Sequence, residues 1–193
     1  MSEPVMGWAV CRPRAARRVA MLATALSLLG ALSTPALATG DTSSAQPVFA
    51  IESPKAAKGL MIDVVHAGKR LVAVGDRGHI LYSDDQGNTW TQAKVPTRQL
   101  LTAVYFVDDK HGWAVGHDAQ ILASTDGGAT WAQQYQDLKR EAPLLDVWFK
   151  DAEHGLAVGA YGALIETTDG GKTWDDVSDR LDNEDQFHLN AIA

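Results

Sequence analysis

Apolar and polar positions along the chain fall into three regimes. Residues 19–32 form one apolar run, preceded by Arg12, Arg14, Arg17 and Arg18. Residues 39–59 mix Thr, Ser, Ala, Pro and Lys without a period, which predicts a short disordered lead-in. From residue 60 onward, short apolar runs bounded by Gly, Asp and Asn recur to the end. They are rich in β-branched and aromatic residues and predict strands, and nothing among them has a helical period. Residues 101–106 and 144–149 are apolar on both faces, which predicts interior strands.

The runs repeat. Residues 75–90 read GDRGHILYSDDQGNTW, residues 116–131 GHDAQILASTDGGATW and residues 159–174 GAYGALIETTDGGKTW. Trp90, Trp131 and Trp174 are 41 and 43 residues apart. A second repeated block precedes each copy: LMIDVVHAGKRLVAV, LLTAVYFVDDKHGWAV and LLDVWFKDAEHGLAV. The final HLNAIA begins that block once more. Four short strands at this period predict an all-β fold, a β-propeller of four-stranded antiparallel blades. The blades span residues 60–100, 101–143 and 144–188, and residues 189–193 are the first strand of a fourth. A propeller closes with about four blades or more, so three would leave apolar blade faces and edges open. Either the propeller is truncated, or it self-associates with another copy through the open edges. The stop inside an apolar strand, at Ile192 and Ala193, favours truncation.

The turn between the third and fourth strands carries the sharpest motif, [ST]-x-D-x-G-x-T-W. Its copies are Ser83, Asp85, Gly87, Thr89 and Trp90; Ser124, Asp126, Gly128, Thr130 and Trp131; and Thr167, Asp169, Gly171, Thr173 and Trp174. These residue types suit a tight hairpin. The carboxylate accepts backbone N–H groups, glycine supplies a positive φ, and threonine adds a side-chain bond to the backbone. The tryptophan is expected to bury its ring against the hairpin and the next blade.

This motif resembles the Asp-box, or BNR, repeat. The surrounding AVGxxGxI…S-x-DGG-x-TW pattern is similar to the photosystem II stability/assembly-factor-like propellers, over roughly residues 60–193. That resemblance implies structural Asp boxes, no catalytic residues, no cofactor and a protein client. It also implies exported bacterial relatives and client contact through a basic patch.

Charge and leader refine this. The four arginines, the apolar run and Ala36-Leu37-Ala38 read as a signal peptide, residues 1–38, cut after Ala38. Removing it leaves 13 basic and 23 acidic residues, a balance of −10. That excludes nucleic acid as a partner, since phosphates need a basic face, and it weighs against a photosystem client. The single cysteine, Cys11, leaves with the leader, so disulfide frameworks and cysteine-based zinc sites are excluded. The expected place is periplasmic or extracellular, with no membrane span after cleavage and a membrane or envelope complex as client.

Other chemistry is poorly supplied. A sialidase-like glycosidase or glycan-binding protein is the alternative, but no Arg-Ile-Pro stretch accompanies Arg70, Arg77, Arg98, Arg140 and Arg180. Asp84-Asp85, Asp108-Asp109 and Asp175-Asp176 are adjacent in sequence, so their side chains diverge in strands. His111 and His154 recur at one turn position and read as structural. His66, His79, His117 and His188 have no metal-ligand spacing. The acidic run of residues 175–185 reads as a solvated loop. The turns between the second and third strands vary between copies, and variable loops on a constant scaffold carry recognition. Together with the connections at residues 94–99 and 139–143, they give a candidate binding face of Arg77, His79, Arg98, His117, Asp118, Arg140 and Tyr161.

Overall fold

Twelve strands form three four-stranded antiparallel sheets in the computed structural model, which describes residues 47–193. Blade 1 holds β1 (Met61–Ala67), β2 (Arg70–Gly75), β3 (Ile80–Ser83) and β4 (Thr91–Gln92). Blade 2 holds β5 (Leu101–Phe106), β6 (Gly112–Gly116), β7 (Gln120–Ser124) and β8 (Ala132–Tyr135). Blade 3 holds β9 (Leu144–Phe149), β10 (Gly155–Gly159), β11 (Leu164–Thr167) and β12 (Asp175–Asp176). Each sheet runs in sequence order, as a meander with short turns must. Residues 1–38, expected as a signal peptide, and residues 39–46 of the expected lead-in lie outside the described residues. No described helix is long and apolar enough to cross a membrane.

The core lies between blades. Leu101, Val104, Ala114, Leu122 and Trp131 of blade 2 pack on Val72, Val74, Ile80 and Val95 of blade 1. One repeat later, Leu144, Val147, Ala157 and Ile165 of blade 3 pack on Trp113, Val115 and Ile121 of blade 2. The Trp113 and Phe149 rings stack across that seam, centroids 3.4 Å apart and 9° from parallel. The residues of blade 1 that correspond to the first set, Met61, Val64, Ala73, Leu81 and Trp90, line an uncovered hollow of about 280 Å³. Apolar burial, the main stabilising term, is thus complete at two seams and only partial at this face, where Ala73 and Leu81 are buried but Val64 is exposed.

Residues 101–106 and 144–149 are end strands of their sheets, not central ones. They are apolar because first strands stand side by side, β1 beside β5 and β5 beside β9. Aspartates tie them together. Asp63 accepts the Val104 N–H at 2.9 Å, and Asp146, its repeat equivalent, accepts the Ile192 N–H at 2.8 Å. Thr102 Oγ1 donates to Leu144 O at 2.7 Å between blades 2 and 3. Residues 189–193 therefore sit beside blade 3 as a first strand should, with Ile192 at the position of Val104.

Residues 47–59, expected as disordered, form a strap along the outer edge of blade 1. The Ala50 N–H donates to Val95 O at 2.9 Å. Gln92 accepts the Ser53 N–H at 2.9 Å and donates to Ile51 O at 3.0 Å. A 3-10 turn at Ala56–Lys58 follows. Composition gave no sign of this, because the partners are backbone groups and distant side chains, Gln92 and Arg98 among them.

Candidate functional site

The three Asp-box hairpins share one wiring. In blade 1 the Ser83 hydroxyl donates to Asp85 Oδ1 and accepts the Gly87 N–H, both at 2.8 Å. Asp85 also accepts the Thr89 N–H at 2.8 Å and the Thr89 hydroxyl at 2.6 Å. Blades 2 and 3 repeat these bonds through Asp126 and Asp169. Gly87, Gly128 and Gly171 hold φ of 88°, 84° and 85°, the left-handed region open to glycine. The threonine hydroxyl thus bonds the carboxylate, where a bond to the backbone was expected. Every carboxylate oxygen has a donor, which makes these aspartates structural groups.

The rings lean backward, not forward. The Trp131 N–H donates to Lys94 O at 3.1 Å, and Gly128 rests on Val72, so the blade 2 box packs on the preceding blade. Trp90 and Trp131 donate their indole N–H to Gly87 O and Gly128 O at 3.1 and 3.0 Å. In blade 3, Gln134 donates instead to Gly170 O, and the buried Trp174 Nε1 has no partner among the described residues.

The same bonds set an acid dependence. Hydrogen bonds from the Thr89 hydroxyl and amide, then from Ser83, hold the Asp85 carboxyl down to about 2. The Thr173 amide and hydroxyl hold Asp169 at about 2. Asp126 is raised by burial but lowered further by Thr130 and Ser124. All three are depressed from an unfolded value of about 4, so their contribution is complete above pH about 4 and lost as pH falls toward 2. Melting temperature should therefore hold between pH 7 and about 5 and drop steeply below about 4. Asp108 and Asp151 are also held at about 2 and share in that drop, so Thr130→Val should lessen it in part in circular-dichroism melts, and a steeper acid limb would contradict the wiring.

His111 and His154 each close a first-to-second-strand turn. Their Nδ1 atoms lie 2.8 Å from Asp108 Oδ2 and 2.9 Å from Asp151 Oδ1, and both aspartates cap backbone amides. No group able to hold a metal ion forms among the described residues.

The opposite ends of the blades carry the second-to-third-strand turns. Each is braced by the connection that follows its blade: Gly78 on the backbone of Thr97 and Arg98, Ala119 N–H on Ala142 O at 3.1 Å, and Gly162 on Asn183. Turns and connections therefore share one rim. Arg77, Asp118 and Tyr161, at one position of the three turns, all hold left-handed φ, at 58°, 60° and 57°.

Around this rim the candidate residues divide. Arg77 is exposed beside Asp76, and Tyr161 is exposed with its ring edge-on to His188. Arg98 donates Nε to Phe49 O at 2.9 Å, and its neighbour Gln99 donates to Asp118 Oδ2 at 2.5 Å. His117 is exposed, with its backbone N–H on Leu100 O. His79 is buried, under the strap that was expected to be disordered, and presents no surface. Arg140 is largely covered and its charge is met by Asp176. Arg70 pairs with Asp84 and donates to Gly127 O, and Arg180 pairs with Glu166, so no two of the five described arginines share a partner.

Sequence reasoning missed Gln120, Gln133 and Gln136. The Gln120 side chain is 2% exposed at the foot of the blade 2 rim turn. It donates to Gln133 Oε1 at 2.8 Å, and Gln133 donates to Gln136 Oε1 at 3.3 Å. All three line a groove of about 820 Å³ between the strap and blade 2. The only available signal was that Gln92 and Gln133 both lie two residues after a repeat tryptophan.

Blades wired by Asp boxes, with varied turns gathered at one rim, define an Asp-box β-propeller segment. The chain belongs to the photosynthesis system II assembly factor YCF48 family, whose model matches residues 86–142 and 132–193. A solved structure described as YCF48 bound to D1 peptide is 24% identical, with a TM-score of 0.54, and the match covers 60% of this chain and 39% of that one. YCF48 from Cyanidioschyzon merolae is 20% identical, with a TM-score of 0.50, over 62% of this chain and 41% of that one. The chain spans about two fifths of the length of these solved relatives. No curated protein matches it.

Proposed function

We propose that this chain is part of an exported, non-catalytic propeller scaffold that binds a protein client through the rim of Arg77, Arg98, Asp118 and Tyr161. The observation that carries this is the left-handed backbone at one position of all three rim turns, in non-glycine residues. Such a conformation costs about 1 kcal/mol or more per residue and persists where the surroundings over-determine it. Here the blade-to-blade connections do so. The result is a rigid row of a cation, an anion and an aromatic ring, suited to recognising a surface. No two of these groups lie as an acid–base pair, and the arginines do not converge on a carboxylate site. The solved relative bound to a peptide supports a polypeptide as client.

The test is capture of a solubilised envelope complex on the immobilised protein, compared with Arg77→Glu combined with Arg98→Glu. Two charge reversals at a rim contact should reduce recovery at least about tenfold. Recovery that ignores them would remove the rim from the interface, and turnover of a fluorogenic sialoside would replace the scaffold by an enzyme. Export predicts Thr39 as the first residue of protein recovered from the periplasm, and an intact Met1 there would refute cleavage after Ala38.

A further inference from the structure

We infer that the groove between the strap and blade 2 is a subsite for an extended peptide, read by the side-chain amides of Gln120 and Gln133. The groove is walled by Pro47, Phe49, Pro96 and Trp131 and floored by the glutamines. Its amides form a polarised row: each Nε2 donates to the next Oε1, from Gln120 through Gln133 to Gln136. Gln120 Oε1 is left at the inner end, buried and without a partner among the described residues. A buried carbonyl oxygen without a donor costs about 1–3 kcal/mol, a deficit that a ligand N–H would remove. At the outer end, Gln136 Nε2 donates to no described acceptor. The row therefore ends in an unpaired acceptor beneath the groove floor, which a ligand N–H reaches once the Gln120 amide turns toward the groove, and in a donor at the edge, the complement of an extended backbone with its alternating C=O and N–H groups.

The molecule already contains such a clamp. Gln92 accepts the Ser53 N–H and donates to Ile51 O, holding the strap along blade 1. Gln133 is its repeat equivalent, since Gln92 pairs with Leu81 in β3 and Gln133 with Leu122 in β7. Blade 3 has Asp176 at this position, engaged by Arg140 and Ser178, so the clamp is specific to blades 1 and 2. The groove suits a peptide better than a sugar. Trp131 is 6% exposed and offers no ring face for a sugar to stack on, whereas Pro47, Phe49 and Pro96 suit apolar side chains. Arg98, at the groove edge, has no carboxylate partner among the described residues, so an acidic residue in the peptide would be favoured there.

Taking the occupant from a client, and not from this chain, rests on the scaffold reading. The probe is an acetylated, amidated peptide copying residues 47–54, Pro-Val-Phe-Ala-Ile-Glu-Ser-Pro, titrated into isotopically labelled full-length protein. The expected result is saturable movement of the Gln120 and Gln133 side-chain amide resonances. Affinity should fall about tenfold in Gln120→Leu, as loss of one buried hydrogen bond implies. Gln133→Ala changes an exposed residue but leaves the Gln120 side-chain N–H without its acceptor, so it should lower the melting temperature modestly and weaken binding similarly. Movement confined to Gln92 would mean that the peptide merely replaces the strap, and would overturn the assignment. Absence of any saturable change would overturn it too, as would chitotriose moving these amides when the peptide does not. If the probe binds but client capture ignores the rim reversals, the scaffold reading fails and the groove stands. If capture obeys the rim and the probe never binds, only the groove assignment falls.

Discussion

Trp131→Ala is expected to lower the unfolding free energy by about 3–5 kcal/mol, the range for deleting a buried aromatic ring. The ring is 6% exposed and lies edge-on to Phe106, centroids 6.0 Å apart at 85°. Its indole N–H is satisfied by Gly128 O, and its backbone N–H by Lys94 O of the blade 1 exit. Truncation therefore empties the seam between two blades, where the hydrophobic cores of the described residues lie. Domains are stable by about 5–15 kcal/mol, so this one change removes a large part of the total. Urea titration would read it directly. The control is Trp90→Ala, the same hairpin with no blade in front of it among the described residues and the ring only half-buried. That change should cost about 1 kcal/mol, with Trp174→Ala between the two. Equal losses at all three positions would show that the ring stabilises its own hairpin and does not wedge blades together.

Much of this architecture was readable before any coordinates. The all-β class and the four-stranded antiparallel make-up of each blade follow from a repeated local pattern, and local patterns are what periodicity reports. What periodicity cannot report is the partner across a seam. The ring direction of Trp131, the burial of His79 and the neutralisation of Arg140 all depend on groups in another blade or in the strap. The aspartate ties show the same limit. Asp63 and Asp146 share a repeat position that Ala103 occupies in blade 2, so the interrupted pattern looked like ordinary variation. Gln120 was invisible for a related reason. Its burial comes from tertiary packing at the foot of the rim turn, and a lone glutamine at a strand start carries no signature.

A second large effect is expected at a residue the repeats displayed without explaining, the glycine of each AVG triplet. Gly75 and Gly159 have extended backbones, φ −176° and −166°, which any residue adopts. Conformational freedom is therefore not their role. Alanine at such a position would ordinarily stabilise by about 0.4–1 kcal/mol, by restricting the unfolded chain. Space decides otherwise. A Cβ on Gly116 would collide with Leu100 O and lie 2.9 Å from Leu101 Cα, both backbone atoms at the irregular start of β5. Gly75 meets Leu60 O and Met61 Cα, and Gly159 meets Pro143 O and Leu144 Cα, in the same way. The struck carbonyl also accepts the N–H of the next residue, His117 on Leu100 O at 3.0 Å, with Asp76 on Leu60 O and Ala160 on Pro143 O as its equivalents. Gly116→Ala should thus displace that carbonyl, weaken the bond and loosen the turn that presents Asp118. The expected cost is about 3 kcal/mol, the upper end for overpacking, read by urea titration. A rise in stability would show that the bulge yields. Because this carbonyl anchors the start of the rim turn, amide exchange of His117 and Asp118 should accelerate more in Gly116→Ala than in Trp131→Ala once each is corrected for global stability. Equal protection after that correction would separate the glycine from the rim and leave it a packing residue alone.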